Sequence, residues 1–209
     1  YFGNSFAYGG LKAQAYLAQY GDMSGVHRIN AKTGVPEWHR LCWPESDAAL
    51  GTGTLYQWER DRPTEYVSAV VARRQSDGGE VWRKSFPYRK TRGHYAPVLA
   101  GGLVIVVSRL PDVIRALRAS DGALVWQVAV TLGADISGYA GRVAAATGSG
   151  TLVVSVSGEG LHILDTAPGA VVKKILITGA GSMGGPIIAG GRVFVPIAGG
   201  KTIWAGQSG

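Results

Sequence analysis

Three tryptophans in this chain fall in step. Trp38, Trp82 and Trp126 stand 44 residues apart, twice over, and each follows a turn glycine by four residues: Gly34, Gly78 and Gly122. Two of those glycines are preceded by aspartate (Asp77, Asp121) and the first by Thr33. Asp-Gly between β-prone runs signals antiparallel strands joined by a short turn, because glycine supplies the positive φ that such turns require. The best-kept unit is 95–126, where three β-prone runs are broken by Gly101-Gly102, Pro111-Asp112 and Asp121-Gly122. A fourth unit, 161–173, keeps the turn as Pro168-Gly169 but has Lys173 in the tryptophan position. A fifth opens at Gly185 with a near copy of 96–107 and runs to Gly209.

A period of 40 to 50 residues built from about four strands is the signature of a β-propeller blade. The expected fold is therefore all-β, a propeller of four-stranded blades with a tryptophan docking repeat, four full blades and part of a fifth. The expected blade bounds are about 1–43, 44–88, 89–132, 133–178 and 179–209, in a single domain that is either whole or a fragment of a larger ring. With 32 glycines and 17% charged residues, the composition suits many short strands and turns. Runs such as 103–107 and 152–156 are almost continuously apolar, so both faces of those strands must be covered by neighbours. A tryptophan after the last turn can lie across the seam between blades, with Gly34, Trp38, Gly78, Trp82, Gly122, Trp126 and Gly169 as the docking set. Burial of one such ring is worth about 4–6 kcal/mol before ordering costs. Lys173 should mark a weaker seam.

The repeat resembles that of the pyrroloquinoline-quinone-type propellers, which runs P-V-V-x-x-G-x-V-Y-V, a short turn, then A-x-D-x-x-T-G-x-x-x-W. The third unit matches at Pro97, Val98, Gly102, Val104, Ala116, Gly122 and Trp126, the first at Thr33, Gly34 and Trp38, and the second at Ala72, Gly78 and Trp82. The aspartate that the family places four residues before the glycine survives as Asp165 and, in related form, as Asn30. Arg74 and Arg118 replace it elsewhere, where a guanidinium could bond to turn carbonyls instead. The resemblance implies one of two kinds of protein. One is a non-catalytic propeller that binds or scaffolds proteins of the cell envelope, in the periplasm, at the cell surface or secreted. The other is a piece of a quinone-dependent dehydrogenase, with pyrroloquinoline quinone and calcium as cofactors. The first is the preferred reading, without cofactor, and further blades or another subunit are expected to cover the open seams. A third reading, a five-blade ring that binds a small ligand or glycan, requires 1–8 to pair as the last strand beside 201–205.

Individual residues add little chemistry. The enzymes' adjacent Cys-Cys pair is missing, as is any C-x-x-C-H; Cys42 is the one cysteine and is expected to be a small buried residue. Residues 179–184 spell G-x-G-x-x-G, but Pro186 and a strand pattern follow where a phosphate-binding helix would have to begin, so an inter-blade loop is expected. The same stretch does not form a serine nucleophile elbow. Of the four histidines, His27 and His162 share one repeat position, filled elsewhere by Val71, Arg115 and Trp204, and a surface or strand-edge place is expected. The formal net charge of +7 favours encounters with anionic partners. The densest basic stretch, Arg83, Lys84, Arg89, Lys90, Arg92 and His94, is the candidate surface for an acidic protein. Nucleic acid is disfavoured, since no recognised binding motif accompanies it. No apolar run reaches a membrane span, and the start at Tyr1 suggests a processed or excised chain that says little about compartment.

Overall fold

The structure is a computed structural model that describes residues 5–8, 14–19, 25–60, 67–87, 96–108, 113–129, 143–145, 150–156, 160–167, 169, 171–175, 186–196 and 203–207. Every regular element among them is a strand, and every pairing is antiparallel. The first sheet comprises β1 (Ser5–Tyr8), β2 (Gln14–Gln19), β3 (Gly25–Asn30) and β4 (Pro36–Leu41) in consecutive order. The second carries the short strands β5 (Trp43–Pro44) and β6 (Ala49–Leu50) on one edge of β7 (Thr54–Arg60), followed by β8 (Val67–Arg74) and β9 (Glu80–Pro87). The third runs β10 (Val98–Ala100), β11 (Leu103–Ser108), β12 (Val113–Arg118) and β13 (Leu124–Ala129). The fourth runs β14 (Val143–Ala145), β15 (Thr151–Val156), β16 (Gly160–Asp165) and β17 (Val171–Ile175). The fifth has three described strands, β18 (Ile187–Ala189), β19 (Arg192–Pro196) and β20 (Ile203–Gln207).

The chain divides into two compact units, residues 1–97 with 119–123, and residues 98–118 with 124–209. In the first, Leu55, Trp58, Val70 and Ala72 have no exposed surface. In the second, Val104, Ile105, Ile114 and Leu117 are equally enclosed, as the unbroken apolar run of β11 requires. The seam between the fourth and fifth sheets is aliphatic: Leu161 and Ile163 pack with Val193 and Val195, flanked by Ile175 and Ile188. Lys173 lies exposed beside this seam, opposite Ile163 in the ladder.

Two expectations are corrected. Residues 5–8 open the first sheet by pairing with 15–18, so they are not the fourth strand of the fifth sheet, and the five-blade reading loses the pairing it required. The reason lies in the repeat phase, because these residues already supply the first strand of their own unit. His162 is not at the surface; it is 2% exposed, and its repeat equivalents Val71 and Arg115 are buried as well. The slot accepts varied side chains and encloses Val71, Arg115 and His162, while His27 is half-buried, which sequence variety alone does not reveal.

An irregularity recurs at the same place in four sheets. The pairing of the third and fourth strands slips by one residue between Arg28 and Ile29, Ala72 and Arg73, Ala116 and Leu117, and Ile163 and Leu164. Just before each slip the residue opposite is Trp38, Trp82, Trp126 or Lys173. A bulge increases local twist and re-aims the side chain next to it, here the ring that leaves the sheet.

Candidate functional site

The tryptophan joints are the most regular construction in the molecule. Each ring reaches the turn of the following repeat, where its Nε1–H donates to a backbone carbonyl: Trp38 to Gln75 (3.0 Å), Trp82 to Ala119 (2.9 Å) and Trp126 to Thr166 (2.6 Å). In all three the acceptor lies three residues before the turn glycine, and the ring face lies on that glycine. A Cβ at Gly78 would stand 2.7 Å from Trp38 Cε3, one at Gly122 would stand 2.6 Å from Trp82 Cε3, and one at Gly169 would fall within the Trp126 ring contact. These glycines also hold φ between 69° and 73°, so the position excludes other residues twice over, by backbone conformation and by space. Other donors reinforce two of the joints. Arg28 Nη1 donates to the Gln75 carbonyl (2.7 Å), and Tyr56 Oη donates to the Ala119 carbonyl (3.2 Å).

The turns themselves are held by side-chain oxygens. Asn30 Oδ1 accepts from the Lys32 and Thr33 amides, and Asp165 Oδ1 from the Ala167 amide, as the family pattern implies. Where arginine replaces the aspartate, the carboxylate moves into the turn. Asp77 Oδ1 accepts from the Gly79 amide and Asp121 Oδ1 from the Ala123 amide. Arg74 then pairs with the Asp77 carboxylate (3.1 Å) rather than with turn carbonyls, which corrects the expected partner. Together with the Gly79 amide it holds the Asp77 carboxyl below its ordinary pKa.

Sequence reasoning missed a buried charge network in the second sheet. Glu59, 1% exposed, accepts two hydrogen bonds from Arg73 (2.9 Å each), one from Arg83 (3.0 Å) and one from Gln57 (2.7 Å). Burial works against the Arg73 cation, but the hydrogen bonds and charge of Glu59 more than offset it and raise its pKa above the usual guanidinium value. The signal was present in the alternation of β7, where Gln57 and Glu59 share one face while Tyr56 and Trp58 share the other. A second carboxylate, Glu45, is similarly engaged by Arg60 (2.8 Å) and Ser68 (2.5 Å). Cys42 sits partly buried beside this network, 3.6 Å from Gln57 Nε2, rather than in an apolar pocket. Loss of hydration and the nearby Glu59 charge push its thiol from 9.0 up to about 12. Alkylation by iodoacetamide at pH 8 should therefore be at least ~100-fold slower in the native chain than in urea, since the thiolate is the nucleophile. A raised native pKa also means that the thiol's contribution to stability is complete below pH 9 and is lost as pH climbs toward 12. Cys42→Ala should remove that part of the alkaline decline in urea midpoint.

Of the basic candidates, Arg83 is drawn into ion pairs with Glu59 and Glu80, and Lys84 is exposed on β9. Arg89, Lys90, Arg92 and His94 lie outside the described residues, as does the 179–184 glycine motif. His27 and His39 face each other across β3 and β4 with stacked rings, centroids 4.1 Å apart. Among the described residues no three His, Cys, Asp or Glu side chains gather to hold a metal ion, and Glu45 and Glu59 are committed to arginines. No described helix is long and apolar enough to cross a membrane.

Comparison with known proteins places this architecture. Residues 111–206 match the family model described as outer membrane protein assembly factor BamB. No curated protein matches the chain significantly in sequence. Among solved structures, BamB from Moraxella catarrhalis superposes over 97% of this chain and 57% of its own, with a TM-score of 0.68 and 17% identity. The computationally designed Ika8 protein gives the same coverage and TM-score at 9% identity. The quinohemoprotein alcohol dehydrogenase from Comamonas testosteroni is matched over 97% of this chain and 42% of its own, with a TM-score of 0.61 and 18% identity. The chain thus spans just over half the length of the first two, and identities this low speak to fold alone. The phased glycines, the tryptophan joints and these likenesses give the chain a β-propeller fold whose repeat is similar to the pyrroloquinoline-quinone-type repeat.

Proposed function

We propose that this chain is a non-catalytic propeller that binds or scaffolds proteins of the cell envelope. The observation that carries this reading is the match of 111–206 to the family model of an outer membrane assembly factor, on a fold that also superposes on BamB. Two features of the surface support it. Leu41 and Trp43, on either side of Cys42, are exposed, and so are Val81, Leu124 and Val125 on the outermost strands of their sheets. Apolar side chains left on outer strands suit contact with another protein, and the charge of +7, with Lys84 exposed on β9, favours an acidic one. The same family match supports a periplasmic, cell-surface or secreted place.

The competing reading, part of a quinone-dependent dehydrogenase, draws on the likeness to the Comamonas enzyme. Addition of pyrroloquinoline quinone with calcium separates the two. The scaffold reading expects no quinone absorbance to remain with the chain after gel filtration, whereas stoichiometric uptake would overturn it. A photo-crosslinking residue at position 41 or 43 should give a discrete adduct in an envelope fraction. Diffuse or no crosslinking there would count against protein binding at this surface.

A further inference from the structure

Two imidazoles meet on the last two strands of the first sheet. His27 on β3 stands directly opposite His39 on β4, with ring centroids 4.1 Å apart and planes inclined by 16°. The repeat does not demand this pair, since the same rung carries Val71 with Arg83, Arg115 with Gln127 and His162 with Lys174 in other sheets. Both residues are half-buried, and Nε2 of His39 is closed off from solvent with no hydrogen-bond partner among the described residues. Beside that nitrogen lies Gly25, where a Cβ would stand 2.5 Å from it. A buried imidazole nitrogen ordinarily finds a partner; here a glycine leaves room at it instead.

We propose that His27 and His39 form a two-histidine site for a divalent transition-metal ion of the copper, nickel and zinc class. Directly opposed residues of an antiparallel pair have Cβ atoms about 4.5–5.5 Å apart, which lets two imidazoles reach one ion. Imidazole suits these three metals, and Cu2+ is held most tightly of them. The stacked rings are the metal-free arrangement: an ion lies in the plane of each ring it binds, so both rings must turn about their Cβ–Cγ bonds toward a shared point. Gly25 gives the His39 ring space for that turn. His27 commits one ring nitrogen to the ion and keeps the other for a hydrogen bond, as metal-bound imidazoles ordinarily do. No third His, Cys, Asp or Glu among the described residues joins them, so water fills the remaining positions. Arg28 and Glu37 on the same two strands pair with each other. The bound ion clips β4, which carries Trp38, to β3.

The test titrates the isotopically labelled chain with Cu2+ at neutral pH. Electron paramagnetic resonance should show one bound ion coupled to two imidazole nitrogens, and paramagnetic broadening of the backbone amide resonances should centre on His27 and His39. Because the second ligand acts at high effective concentration, His27→Gln and His39→Gln should each weaken binding about 100-fold. The nitrogen count and the broadening are read on the unaltered chain, so they decide the matter even where a variant unfolds. The proposal is overturned if no ion binds, if a single imidazole nitrogen is coupled, if the broadening centres elsewhere, or if a folded variant binds as the parent does, which would mark an adventitious ion only.

Discussion

Trp126→Ala should lower the stability of the unit it belongs to by about 3–5 kcal/mol in equilibrium urea unfolding. The ring is 9% exposed, its face lies on Gly169, and its N–H is bonded to Thr166, a residue that is itself buried. Truncation would leave a cavity and strip the Thr166 carbonyl of a donor, and both losses fall on one joint. The partner side of the joint gives a sharper check. Gly169→Asn removes no tryptophan and keeps a residue able to hold φ near 69°, so any large loss must come from its Cβ pushing the indole away. Loss on the same scale is expected, whereas the same change at Gly34 should be nearly silent. If Trp126→Ala cost less than about 1 kcal/mol, the ring would have to be solvent-facing in solution and the joint would not hold the repeats together.

Glu59→Ala should be comparably damaging, at about 3–5 kcal/mol, for a different reason. The Arg73 side chain is 8% exposed, donates both of its carboxylate hydrogen bonds to Glu59 and has Glu80 only at 3.9 Å, so the variant strands a guanidinium charge away from water. Arg83 keeps Glu80 as a second partner and is better hydrated, so Arg73 should account for most of the loss. The double variant Glu59→Met with Arg73→Met separates the cost of an orphaned charge from the worth of the pair. Recovery of most of the single variant's loss in urea titration is expected, because a buried ion pair and an apolar replacement of similar volume are often close in free energy. A double variant no better than Glu59→Ala would mean that the network is needed as a whole.

The parts of this structure that could be read from sequence are those that repeat with a fixed period. The 44-residue phase of Gly34, Gly78 and Gly122 with their tryptophans located the turns and the rings, because a positive φ and a large planar side chain each leave a compositional trace. What a ring docks onto was not legible. The partner of Trp82 is the Ala119 carbonyl, and backbone acceptors have no residue type. The network around Glu59 was missed for a related reason: charged residues in a strand ordinarily indicate its solvent face, and only the matching arginines on β8 and β9 turn them inward. His162 was misplaced because position equivalence was taken as tolerance of exposure, when the common property of His162, Arg115 and Val71 is enclosure.

The slip that recurs beside Arg28, Ala72, Ala116 and Ile163 acts as a ruler. From each of these residues to the turn glycine, and from the glycine to the ring position, the interval is the same in every unit, although the connections between sheets vary in length and sequence. Adding or deleting a single residue inside that interval would turn the indole toward the opposite side of its strand, so insertions can be absorbed only outside it. A grafted or duplicated unit should therefore be cut in the connections that lead into the first strand of each sheet.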